Sequence, residues 1–249
     1  MKTPTLGIPD LLDRLESHYG PQEPNWPVDP CEFLIWWHCG YPASDDRCTR
    51  GWERLKATVG TQPERILAAS QSQLTRALKA GGMVPEIRAL RLQEIAMRIV
   101  DQYAGNLDSL FTGPLPAVHA ALKRFPNIAE PGVDPILLFA RKSPVAAVPS
   151  NCPHVLVRIA HGLERENYGV NYREAQMLIQ SELPEQFHFR QRAYSSSRCT
   201  VRDLQAKTQM RPLSAPRGLR VCSRCQPRRT PVQPIARIHG SQIHHVLSR

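Results

Sequence analysis

The stretch "FPNIAEPGVDPILLFA", Phe125 to Ala140, decides the fold. It follows "LPAVHAALKRF" (115–125), whose apolar spacing predicts a helix, and its second half, "DPILLFARK", predicts another. Between them "PNIAEPG" is too short for anything but a tight turn, so the segment predicts a hairpin of two helices. Asn127 suits a turn, because asparagine tolerates positive φ better than most residues. Pro135 admits two readings. With Asp134 as N-cap it is a good first helical residue. If the helix starts nearer Glu130, the same proline removes a hydrogen bond and bends the helix, at about 3 kcal/mol.

Outward from the hairpin the pattern stays helical. "PDLLDRLESHYG" (9–20) carries leucines at 11, 12 and 15 before a glycine stop. "CEFLIWWHC" (31–39) is apolar enough for a buried helix, and "SDDRCTRGWERLKATVG" (44–60) follows with Ser44 or Asp45 as N-cap and Gly60 as stop. "VPEIRALRLQEIAMRIVDQYAGN" (84–106) is the longest helix, with Ile87, Leu90, Ile95, Ile99 and Val100 marking its apolar stripe. "HVLVRIAHGL" is β-branched enough to suggest a strand, but nothing nearby would pair with it. The expected class is all-α.

The charge is uneven. The 249 residues carry a net +10, yet residues 1–194 hold 21 basic and 21 acidic side chains, whereas 195–249 hold 11 Lys/Arg against Asp203 alone. The basic excess therefore says little about the body as a nucleic-acid binder. After Tyr194 there is no Phe, Tyr or Trp, while Pro, Ser and Arg accumulate. Such a segment buries too little apolar surface to offset its ordering entropy, so 195–249 is expected to be a largely disordered basic tail. No run of about 18 apolar residues is present, and the N-terminus lacks the apolar core of a signal peptide, which predicts a cytoplasmic protein with no membrane partner. Seven scattered cysteines fit that reducing compartment.

Taken together, "DPCEFLIWWHCGYPASDDR", "LKAGGMVPEIRALRLQEIA", the hairpin and "AAVPSNCPHVLVRIAHGL" strongly resemble the endonuclease III branch of the helix-hairpin-helix DNA glycosylases. The likeness runs over residues 9–194 and is greatest to a bacterial subgroup sometimes labelled HesB, whose hairpin reads "FPGIGEPGADKILLFA" and whose next motif reads "LDSNGLRVLVRLG". The resemblance implies a two-lobed fold. A six-helix barrel over residues 44–141 would carry the hairpin, and residues 1–43 would pack with 142–194 as the second lobe. It implies base-excision repair on double-stranded DNA in the bacterial cytoplasm or nucleoid: a base is flipped out, its glycosidic bond broken and, in bifunctional members, the strand cut through a lysine Schiff base.

Position by position, the chemistry has gone, so the chain looks like a degenerate member. The family aspartate before "SN" falls at Pro149, the bifunctional lysine at Pro131, and the subgroup's own lysine at Pro135. Proline offers no carboxylate and no nucleophile. The hairpin glycines fall at Asn127 and Ala129, where a Cβ at 129 would stand between amide and phosphate. The residue that members insert into the vacated base stack falls near Pro42. The resemblance assigns DNA contact to Asn127, Ile128, Ala129, Gly132, Ser150 and Asn151, and leaves Asp134 and Glu130 as the nearest substitute carboxylates. Their plainer roles are a helix cap for Asp134, a solvated surface group for Glu130, and a cap on the next helix for the Ser150/Asn151 pair.

Branch members often end in a four-iron four-sulfur cluster held by C-x6-C-x2-C-x5-C. Only Cys199, Cys222 and Cys225 stand in that region, with no fourth cysteine beyond, so neither cluster nor other metal is expected. "YSSSRCTVR" (194–202) can be encoded as TAC TCC TCC TCA AGG TGC ACG GTC AGG, which read from its third base gives Leu-Leu-Leu-Lys-Val-His-Gly-Gln, like the family's helix before the cluster. The hypothesis follows that the tail from Ser195 is an out-of-frame remnant of a cluster domain. The nucleotide sequence decides it: codons that forbid the shifted reading end the idea.

Overall fold

The computed structural model describes residues 6–206, with side chains through residue 198. All of its regular elements are helices. They are α1 Ile8–Tyr19, α2 Pro30–Gly40, α3 Asp45–Thr58, α4 Pro63–Ala68, α5 Gln71–Leu78, α6 Pro85–Tyr103, α7 Asp108–Thr112, α8 Leu115–Leu122, α9 Glu130–Phe139, α10 Pro153–His161, α11 Tyr168–Glu182 and α12 Phe187–Ala206. The β-branched "VLVRI" lies within α10, as the lack of a pairing partner requires.

Local punctuation sets several boundaries. Asp29 caps α2 by accepting the Glu32 amide at 2.9 Å. Gly20, at φ 75°, ends α1 with its amide on the Glu16 carbonyl, and Gly60, at φ 106°, donates back to Leu55 after α3. The long helix α6 buries Ala89, Leu92, Ile95, Ala96 and Ile99, while Ile87 and Leu90 are 46% and 58% exposed. The expected stripe was therefore rotated: alanines complete the buried face where α4 and α5 pack close, and two large residues face water.

Three apolar clusters hold the described residues together. Ile35 and Cys39 of α2 join Leu55, Ile66, Leu74, Leu78 and Leu92 in one. Ile8, Leu11 and Leu12 of α1 join Val155, Leu156, Tyr172 and Ile179 of α10 and α11 in a second. Between them, Trp26, Phe33, Trp36 and Trp37 pack with Ile128, Val133 and Leu137 of the hairpin and with Tyr194 of α12. Helix α2 packs with α3, α6 and α9.

The break expected at residue 195 is not there. Helix α12 runs through it, with Ser195, Ser196 and Ser197 at 5%, 1% and 1% exposure; α12 packs on α1 and α9, and the Cys152 thiol donates to the Ser197 carbonyl. Arg198 inserts its guanidinium among Trp26, Trp36 and Tyr194 and pairs with Asp45. The buried Arg190 donates to the carbonyls of Ile179 and Leu183 at the end of α11, a cation on a helix C-terminus. The rest of the expected tail, 207–249, lies outside the described residues.

Candidate nucleic-acid interface

The hairpin forms as the sequence predicts. Phe125 and Ile128 close a turn through Ile128 N–H donating to the Phe125 carbonyl at 3.4 Å, with Pro126 second and Asn127 third at φ 56°. This is the proline-then-positive-φ order of a type II turn, and asparagine fills the glycine place. The turn is tied from behind by buried His38, whose Nε2 lies 2.6 Å from the Pro126 carbonyl while Nδ1 lies 2.7 Å from that of Leu34. A neutral imidazole can donate to only one of them, and burial holds the ring below its ordinary pKa. Ala129 is the exposed N-cap of α9 at φ −123°, an ordinary extended backbone, so its methyl rather than its conformation distinguishes it from glycine.

Helix α9 begins at Glu130, which settles the two readings of Pro135: it is inside the helix. With no N–H, it cannot serve the Pro131 carbonyl four residues back. Asp134 accordingly caps nothing. It is 5% exposed, and its Oδ2 accepts from Tyr172 Oη at 2.7 Å and Gln176 Nε2 at 2.9 Å, both on α11. Burial pushes its carboxyl up to about 6 against those two bonds. Glu130 is not simply solvated: Lys123 Nζ stands 2.6 Å from its Oε1 and holds its carboxyl below the usual range.

Pro149 is buried in the loop before α10, its carbonyl accepting the Cys152 amide at 2.9 Å. Cys152, not Ser150 or Asn151, is the N-cap of α10, and it makes no side-chain cap bond. The Ser150 carbonyl instead accepts from Tyr168 Oη at 2.9 Å. Pro42, Ser150 and Asn151 come together with Trp36, Trp37 and Arg198 around a cavity of about 120 Å³.

The hairpin residues Asn127, Ile128, Ala129, Glu130, Pro131 and Gly132 form one wall of a cleft of about 750 Å³. Its other walls are Trp37 and Tyr41 from the end of α2, and Tyr168, Tyr172, Arg173 and Gln176 from α11. Trp37 and Tyr41 also line the small cavity, so the two groups of sequence-predicted residues share one aromatic partition. Sequence reasoning missed Trp37, Tyr41, Lys123, Tyr168 and Tyr172. Their signals were present: aromatic residues four apart in "WHCGY" and in "YGVNY" lie on one helical face.

Burial pushes Cys31 and Cys48 up to about 12, and among the described residues no three His, Cys, Asp or Glu side chains converge as metal ligands would. The side chains of the candidates Cys199, Cys222 and Cys225 lie outside the described residues. Among the described residues no helix is long and apolar enough to cross a membrane.

No family model matches the chain, and no curated protein matches it. Solved structures do. A trapped endonuclease III–DNA covalent intermediate is similar with a TM-score of 0.59 at 16% identity, over 76% of this chain and 83% of that one. The H. pylori 3-methyladenine DNA glycosylase MagIII, bound to 1,N6-ethenoadenine, gives 0.60 at 15% identity, over 80% and 99%. A thermostable thymine-DNA glycosylase gives 0.56 at 15%, over 78% and 85%. The hairpin, the all-α architecture and these likenesses together give the chain the fold of the helix-hairpin-helix DNA glycosylases.

Proposed function

We propose that this protein binds double-stranded DNA across the hairpin cleft and retains the base-excision scaffold while having lost, or nearly lost, its glycosylase and AP lyase chemistry. One observation carries the reading. Proline stands at all three family positions, 131, 135 and 149, while each substitute carboxylate is engaged: Asp134 is buried beneath Tyr172 and Gln176, and Glu130 is paired with Lys123. A carboxylate already held by Tyr172 and Gln176, or by Lys123, is less free to activate a water or to stabilise a sugar cation. Binding needs less. An exposed turn with Asn127 at positive φ, the start of α9 and a wide aromatic cleft suffice to hold a backbone and an unstacked base.

The test uses duplex oligonucleotides with damaged pyrimidines. Salt-dependent binding without base release is expected; Pro149→Asp should restore measurable release. Release by the unaltered chain above a no-enzyme background would overturn the loss of chemistry. Absence of any salt-dependent binding would leave a helical interaction module with no DNA role.

A residual strand cleavage is the second reading: Lys123 lines the cleft, and once released from Glu130 and deprotonated it is an amine nucleophile. A lysine amine can attack the aldehyde carbon of an abasic sugar and lose water to form a Schiff base, with a neighbouring carboxylate taking the proton. Borohydride trapping on an abasic duplex, abolished by Lys123→Ala, would establish it.

A further inference from the structure

The middle peptide of the hairpin turn, which joins Pro126 to Asn127, has its two polar ends in different surroundings. Its carbonyl meets buried His38, whose Nε2 lies 2.6 Å away and is that oxygen's only partner among the described residues. Its N–H, on exposed Asn127, has no acceptor among them. The imidazole is held on its other side too, because Nδ1 lies 2.7 Å from the Leu34 carbonyl within α2. A neutral ring carries one N–H, so at one of the two carbonyls a ring lone pair faces an oxygen lone pair. Only the imidazolium donates to both. Burial opposes that proton, and the two carbonyls favour it. The charges on the elements packed against α2 leave the balance to them. From α6, Arg91 opposes the proton and Glu94, itself paired with Arg98, favours it. From α3 the buried titratable group is Cys48, whose thiol is pushed up to about 12 and is neutral. In the hairpin and α9, Arg124 is exposed, Lys123 and Glu130 pair with each other, and Asp134 is held by Tyr172 and Gln176.

We propose that His38 is a positioning residue for a DNA phosphate at the hairpin: when the phosphate accepts from the Asn127 N–H, His38 takes up a proton and holds the turn to α2 through both carbonyls. The inference rests on the DNA-binding reading above. The coupling runs through one peptide group. An anion on its N–H draws electron density toward the Pro126 oxygen and makes it a better acceptor, since hydrogen bonds in a chain polarise one another. The charge of the phosphate also favours a cation behind the turn. Protonation works in return on the phosphate, because linkage is reciprocal. Affinity therefore rises as pH falls through the ring's value in the complex, and levels off below its value in the free chain.

The test follows binding of an undamaged duplex by fluorescence anisotropy at constant salt from about pH 5.5 to about pH 8, the range in which histidine titrates. One linked proton changes affinity by up to about tenfold per pH unit. The unaltered chain should gain about tenfold on acidification relative to His38→Gln, which can donate an amide N–H to Pro126 but cannot titrate. Surface histidines act on both proteins alike. In parallel, NMR of the chain labelled at histidine Cε1 should show His38 titrating at higher pH with duplex than without it. Parallel pH profiles for the two proteins overturn the proposal, as does a His38 titration that the duplex leaves in place or lowers. If His38→Gln does not fold, the NMR titration of the unaltered chain decides alone. Salt-dependent binding with His38 unmoved sinks this inference by itself, whereas no salt-dependent binding at any pH sinks the DNA reading with it.

Discussion

The Tyr172 hydroxyl donates to Asp134 Oδ2 at 2.7 Å, joining the second helix of the hairpin to α11 across the floor of the cleft. The bond belongs to a carboxyl whose burial raises it from 3.8 to about 6. A raised carboxyl favours the folded state fully below its unfolded value and loses that advantage as pH rises through its folded value. Between about pH 4 and 6 the unaltered chain should therefore lose about 3 kcal/mol relative to Asp134→Asn, which cannot titrate. Urea denaturation of both proteins across that window checks it. A pH-independent difference would mean that Tyr172 and Gln176 fully offset the burial.

Pro135 interrupts the hydrogen bonding of α9 from within. Pro135→Ala returns an amide to the Pro131 carbonyl and should raise stability by about 2 kcal/mol, the helix-interior penalty less the entropy that proline removes from the unfolded chain. An unchanged or lower urea midpoint would show that the ring's packing outweighs the lost bond.

The turn makes separate demands at 127 and 129. Asn127→Ala should cost about 1 kcal/mol, since alanine resists a φ of 56° where asparagine does not. Ala129→Gly should leave stability nearly unchanged, because φ is −123° there, yet tighten duplex binding several-fold by clearing the methyl from the start of α9. Thermal denaturation and anisotropy separate the two effects. Binding that does not respond to Ala129→Gly would move the DNA contact away from the hairpin.

Residues after Tyr194 are part of the packing. A chain ended at 194 loses the buried serines and the Arg198 side chain that pairs with Asp45 and bonds Tyr194. Asp45 is a third exposed, so the pair itself is worth only about 1 kcal/mol, and the larger loss is the packing of the serine face and of the guanidinium on Trp26. Against a chain ended at 206, the shorter one should melt many degrees lower. Equal melting temperatures would remove α12's last turns from the stable core.

The fold was legible because its punctuation is local: Gly20 and Gly60 as stops and Asn127 in a proline turn all act within a few residues. The absence of an ionisable side chain at 131, 135 and 149 was legible too, because proline has the same lack in any surroundings. The fate of Asp134 was not. A carboxylate next to a proline reads as a cap, and only Tyr172 and Gln176, some forty positions on, turn it into a buried acceptor. The α12 boundary failed for a related reason. Composition averaged over 195–249 hides that residues 195–198 have walls to pack against, and the charge of Arg198 reads as surface until Trp26, Trp36 and Asp45 surround it. The aromatic partition was missed because Trp37 and Tyr41 look like core until the hairpin leaves them a cleft to face.

The three serines of α12 bear on the order in which the protein assembles. A run of serine is a poor helix former and a short helix nucleates reluctantly, so little in Ser195, Ser196 and Ser197 urges that stretch to coil by itself. Its shape is imposed by α1 and α9, on which α12 packs and which are far apart in the preceding chain. The C-terminal turns of α12 are thus expected to close late in folding, and to be the first to open when α1 lets go.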